Sequence, residues 1–228
     1  MDRRFLNARS PLRVLEKGLH GGLGRGNLGV VIAGHGVGKT SFLVGVALDE
    51  LMQGRDVLHV ALDQTVSHVR AYYDTVFDAL ASTAHLDDIA RVHAETDRHR
   101  RIRAYPPGSF GAAKLREALK VEAEAGVRPA LVVIEGFDLV GLPREDLADL
   151  KALARELDAE IWLSFVCDGE RVAAPPALRQ MDDLVSVILA LEPGSQHVAL
   201  RVLKDHDNPD VGSLHVALDP RSLLLVRS

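Results

Sequence analysis

Short apolar runs punctuate the chain, and between them lie longer stretches whose apolar positions recur every three or four residues. LGVVIA (28–33) carries no charge and is β-branched at its centre, the pattern of a strand covered on both faces. KTSFLVGVALDELMQG (39–54) has helical spacing and stops at Gly54, and DVLHVAL (56–62) reads as a second strand before the helical TVSHVRAYYDTVFDALA (65–81). The alternation continues through a polar helical stretch at about 86–99, a short strand RIRAY (101–105) and a helix AAKLREALKVEAEAG (112–126). ALVVIEGF (130–137) is the most apolar strand, followed by the helix PREDLADLKALARELDAE (143–160), with Pro143 in its first turn, and the strand IWLSFV (161–166). The tail holds three strand-like runs, LVSVILALE (184–192), HVALRVLK (197–204) and SLHVALD (213–219), separated by turn-rich EPGSQ and DHDNPDVG.

Strands alternating with helices predict βαβ crossovers, hence an α/β fold with a mostly parallel central sheet and helices on both faces. The β-only tail predicts an antiparallel extension at the sheet edge. Ahead of the core at 28–228 lies a basic N-terminal segment, 1–27. Within it Ser10-Pro11 opens a short helix and Gly18 ends it.

Composition narrows the function classes. With 228 residues, 47% of them hydrophobic and 26% charged, the chain is neither disordered nor fibrous, and one domain is expected. Lys and Arg total 27 against 32 Asp and Glu, a net charge of −5, which excludes a whole-surface polyanion binder but not a local basic patch. The single cysteine, Cys167, excludes a disulfide framework and a Cys-rich zinc site and fits a reducing compartment. The ten histidines have no metal-ligand spacing. No run is long enough to span a bilayer, and MDRRFLNARSPLRVLEKG lacks the apolar stretch of a secretory signal, so a cytoplasmic protein with no membrane partner is expected.

The sharpest chemistry lies in Ala33-Gly34-His35-Gly36-Val37-Gly38-Lys39-Thr40, which has Walker A (P-loop) spacing with alanine at its first position. Gly34, Gly36 and Gly38 are expected to curl the backbone so that N–H groups face a phosphate, with the start of the helix (Lys39, Thr40, Ser41) adding its positive end. Lys39 is then placed for the β- and γ-phosphates of ATP, and the Thr40 hydroxyl for Mg²⁺. Two carboxylates stand at strand ends. Glu135, closing LVVIE, suits a Mg²⁺ held through water. Asp63, after HVAL, suits orienting an attacking water, or equally an N-cap for the following helix.

GLHGGLGRGNLGVVIAGHGVGKTSF, GRDVLHVALDQ and PALVVIEGFDLV, in that order, resemble the RecA-like P-loop ATPase core, in the branch of DnaB-type replicative helicases and KaiC-like ATPases. The resemblance runs over roughly 15–220. It implies a RecA-like fold, binding of ATP and ADP with Mg²⁺, and a homo-oligomer, either a hexameric ring or a filament. APPALRQMDDLVSVILAL resembles the family's DNA-facing loop, which makes Arg171 and Arg179 candidate DNA contacts. LRVLKDHDNPDVGSLHVALDP resembles the stretch bearing the inter-subunit finger, which makes Lys204 a catalytic candidate alongside Asp63 and Glu135. The chain departs from the family pattern at three points. Glu135 stands where the family has Asp, Asp63 where it has Glu, and Lys204-Asp205-His206 where it has Lys-x-Arg. LSFVCD also shows no Gln or His sensor.

A second basic cluster, Arg98, His99, Arg100, Arg101 and Arg103, reads more readily as a charge-protected strand edge than as a DNA surface, and no aromatics interleave with it. The leading expectation is therefore an ATP-binding, slow oligomeric ATPase acting as motor or switch; the alternatives are a nucleotide-gated regulatory scaffold with little hydrolysis and a DNA-binding recombination or replication accessory factor.

Overall fold

In β1 (Leu28–Ala33) every residue is buried, as a charge-free β-branched run requires. The computed structural model describes residues 10–138, 142–167, 173–211 and 213–227. Helix α1 (Pro11–Gly18) precedes β1, capped by the Ser10 hydroxyl, which accepts from the Leu12 N–H. After β1 come α2 (Lys39–Met52), β2 (Asp56–Ala61), α3 (Val66–Ala84), α4 (Ile89–His99), β3 (Arg100–Ala104) and α5 (Ala112–Glu124). Then follow β4 (Pro129–Glu135), α6 (Arg144–Leu157), β5 (Glu160–Val166), α7 (Pro176–Gln180), β6 (Val187–Pro193), β7 (Val198–Asp205), β8 (Ser213–Leu218) and β9 (Leu225–Arg227).

The strands form one nine-stranded sheet in the order β3-β2-β4-β5-β1-β6-β7-β8-β9. From β3 to β6 every pairing is parallel, and β7, β8 and β9 add antiparallel hairpins at one side. The fold is thus α/β, with the parallel core and C-terminal antiparallel extension that the periodicity predicts. Alternate side chains of the central strands feed two apolar clusters. One lies under α1–α4 and holds Phe42, Val69, Phe77 and Val133; the other lies under α5–α7 and holds Leu115, Leu150, Leu178 and Ile134. The basic N-terminal segment contributes Leu12, Leu15, Leu19 and Leu23 to the first cluster, and α1 packs on β8 and β9. Among the described residues no helix is long and apolar enough to cross a membrane.

Differences from the sequence reading are local. α6 stops at Leu157 because Asp158 takes a left-handed φ of 52°, which ends the helix and turns the chain into β5. β6 starts at Val187, since the Leu184 N–H is spent in a turn on Met181 O. α7 and β9 are too short to show a period. Gly29 of β1 lies opposite Trp162 of β5, and a Cβ there would stand 2.5 Å from the indole, so this strand glycine makes room for a ring. Phe42 meets the same indole edge-on, with centroids 5.9 Å apart.

The amino-terminal edge of the sheet buries two ionisable groups, Asp205 and Lys151, and half-buries a third, Glu160. Asp205 is 2% exposed. Burial raises the pKa of its carboxyl, but hydrogen bonds from His206, His20 and Asn208 outweigh this and hold it below the usual carboxylate range. The His20 and His206 ring nitrogens lie 2.6 and 2.9 Å from its two oxygens. Lys151 donates to Asn27 Oδ1 (2.7 Å) and Ser186 Oγ (3.0 Å), and burial, with Arg155 and Lys204 nearby, lowers its pKa. Glu160 accepts from the Gly24 N–H (3.1 Å); burial first and the Glu50 carboxylate next push its pKa up to about 7.

Candidate functional site

All the parallel strands end on the same side, so the residues just past β1, β2, β4 and β5 meet at one edge, the usual ligand edge of such sheets. A cleft of about 730 Å³ opens there, lined by the 35–41 loop, Asp63, Gln64, Tyr72, Glu135–Asp138, Ser164–Val166 and Leu218 among others.

The glycine-rich loop leads from β1 into α2. Gly36 (φ 71°) and Gly38 (φ 114°) occupy the left-handed region, and Gly38 is the residue from which α2 starts. A Cβ on Gly38 would also meet Leu218 Cδ2 at 2.4 Å, so the end of β8 is seated against the loop. Gly34, expected to share in the curl, does not enter the left-handed region, and an added Cβ would only touch Val37. His35 is exposed and Ser41 buried in the first turn of α2. Lys39 Nζ donates to the carbonyls of Ala33 (3.1 Å) and Gly34 (2.8 Å), which folds the cation back over the loop.

β4 delivers Glu135, 2% exposed, into the same place, where its Oε2 accepts from the Thr40 hydroxyl at 3.2 Å. Glu135 Oε1 is buried and makes no hydrogen bond. An unmet carboxylate oxygen beside a hydroxyl, under a helix N-terminus, is a donor set that suits a hard cation such as Mg²⁺. Asp63 is exposed at the mouth beyond β2, and its carboxylate lies over Gly136, where a Cβ would come within 2.9 Å of it. Gly136 has φ +79°, so both its space and its backbone exclude larger residues. The alternative role for Asp63 passes to Thr65, whose side chain caps α3 by accepting from the His68 N–H.

The remaining candidates lie apart. Lys204 pairs with Ile188 near the amino-terminal edge, away from the glycine loop of its own chain, and its Nζ is 2.7 Å from Asp182 Oδ2. Arg179 is exposed at the end of α7, and Arg171 falls outside the described residues. In the 98–103 cluster Arg100 pairs with Asp97 (2.6 Å), Arg101 and Arg103 with Glu122 (3.4 and 2.7 Å), and His99 with Asp56 (2.7 Å). Since β3 is the edge strand, these paired charges fit edge protection.

Sequence reasoning passed over Ser164, which is buried in β5 and lines the cleft, and Gln64, whose Oε1 is buried without a hydrogen bond. It also passed over His59 and Tyr73 behind Glu135. A polar residue inside an apolar strand, such as the His in DVLHVA, was the only available signal. No protein-family model and no curated protein matches this sequence.

Proposed function

We propose that this chain is a RecA-like ATP-binding protein whose cleft takes ATP with Mg²⁺, and that it acts as a slow oligomeric ATPase in a motor or switch. The observation that carries the reading is the meeting of Thr40 and buried Glu135 beneath the left-handed glycine loop at the start of α2. Backbone N–H groups of 34–39 and the α2 dipole would receive phosphate oxygens. Lys39, now on its own loop carbonyls, has an ammonium to exchange onto them. Thr40 and Glu135 would hold the metal, Glu135 through water, and the metal supplies charge neutralisation on the phosphates when bound.

Asp63 is the group at the mouth that would orient an attacking water. Its side chain is a methylene shorter than the Glu of the resembling family, and misplacement of this order costs about a hundredfold in rate. Turnover below roughly 1 s⁻¹ is therefore expected. Because Lys204 lies away from its own chain's loop, it would act on nucleotide only from a neighbouring subunit of a ring or filament. Negligible turnover with intact binding would turn the reading toward the regulatory scaffold. Stimulation by single-stranded DNA would turn it toward the accessory factor.

Calorimetric titration with ATP and Mg²⁺ tests the site. Lys39→Ala is expected to weaken binding at least roughly a hundredfold while circular dichroism stays unchanged. Equal affinity in the variant and the wild type rejects the assignment.

A further inference from the structure

His59 lies at the middle of β2, completely buried, on the sheet face that also carries Glu135. It is paired across the strands with Val133, two residues before that acid. Its Nδ1 lies 3.1 Å from the hydroxyl of Tyr73 in α3, and the two rings meet edge-on at 5.6 Å. The Arg100 guanidinium stands over the Tyr73 ring at 4.7 Å. His59 Nε2 faces Glu135 and stands 3.6 Å from Oε2, just beyond a hydrogen bond, and has no hydrogen-bond partner.

The imidazole Nε2, which has no partner, thus faces a Glu135 carboxylate whose Oε2 is held only by Thr40 and whose Oε1 is unmet, all inside an apolar cluster. A buried polar atom without a partner carries an uncompensated desolvation cost. A phenylalanine would fill the same space without that cost. The tautomer follows from electrostatics. If Nδ1 carried the proton, the Nε2 lone pair would point at carboxylate lone pairs. With Tyr73 O–H donating to Nδ1, Nε2–H points at Glu135 instead. Burial pushes the pKa of the Tyr73 hydroxyl upward, which keeps that proton in place. Oε2 already accepts from Thr40 and has a second lone pair free for Nε2–H, once the gap closes by about half an ångström.

We propose that His59, locked in one tautomer by Tyr73, is a positioning residue that holds the Glu135 carboxylate in the orientation from which it and Thr40 serve the metal of a bound nucleotide. The inference rests on the nucleotide reading above. Groups behind a metal-binding side chain typically set metal affinity by about 10–100-fold. The geometry also explains why an ionisable side chain interrupts the apolar run 57–61 of β2.

The test is titration of a non-hydrolysable ATP analogue, once with Mg²⁺ and once with chelator, in the wild type, His59→Leu, His59→Gln and Tyr73→Phe. The quantity read is the gain in affinity that Mg²⁺ confers. His59→Leu is expected to lose about 10–100-fold of that gain, with chelator affinity unchanged. His59→Gln, whose amide N–H reaches the Nε2 position, is expected to keep most of it, and Tyr73→Phe to lose severalfold. Equal losses with and without Mg²⁺, or a Gln variant no better than Leu, mean a purely structural histidine and overturn the proposal. Should His59→Leu fail to fold, an unchanged Mg²⁺ gain in Tyr73→Phe overturns it equally. A wild type that gains nothing from Mg²⁺ removes the nucleotide reading and this inference together. A wild-type gain that all variants share removes this inference alone.

Discussion

Both ends of the sheet bury charge, and they treat it differently. At the amino-terminal edge Asp205 has three side chains arranged around its two oxygens, and Lys151 two acceptors for its ammonium. At the carboxyl-terminal edge Glu135, equally buried, has one hydroxyl and keeps an oxygen unmet, and Nε2 of the histidine behind it is unmet as well. The first is surrounded by its own chain, as charge buried for architecture would be. The second keeps capacity in reserve, as the proposed nucleotide site requires. The contrast separates two carboxylates that burial alone would rank together.

The largest expected effect contrasts those two carboxylates. Asp205→Asn should lower unfolding free energy by about 3 kcal/mol in urea titration, since a neutral amide replaces the buried carboxylate that His20, His206 and Asn208 hold, and should leave nucleotide binding intact. Glu135→Gln should change stability by less than about 1 kcal/mol yet remove the affinity gained from Mg²⁺. Reversal of this pattern breaks the comparison.

Glu160 offers a smaller effect with a definite sign. Its carboxyl titrates near 7 in the folded chain and near the model-peptide value of 4.5 when unfolded. Between those values the unfolded chain releases a proton that the folded one keeps, so stability falls as pH rises from about 4.5 to about 7 and then levels off. Glu160→Gln removes this fall. It should be about 1–3 kcal/mol more stable than wild type at pH 8 and show no such gain at pH 4, read from paired urea titrations. Smallest is Lys151→Met. Ser186 Oγ already donates to Asn27 Oδ1 at 2.9 Å, so loss of the ammonium leaves that pair bonded. Stability should stay within about 1 kcal/mol or rise, because a desolvated cation is removed. A larger loss would show the lysine binding α6 to the sheet.

The parallel core was legible because strands buried on both faces write themselves as apolar runs, as LGVVIA and ALVVIEGF do. The glycine loop was legible because its left-handed positions admit little but glycine. What lay hidden depends on contacts across sequence. Asp63 over Gly136, Leu218 against Gly38 and the string from Glu135 through His59 to Tyr73 each join residues on different elements. Periodicity carries no record of which strand lies beside which. The short α7 and β9 were missed for a different reason, since three to five residues show less than two turns of any period.

Trp162 is the chain's one tryptophan, 2% exposed, wedged between Gly29 and the edge of Phe42. Phe42 belongs to the first turn of α2, the helix that the glycine loop opens. The molecule therefore carries its own optical reporter: emission from that indole should redden when β1 and β5 part, and its quenching should register any shift of α2, with no label attached.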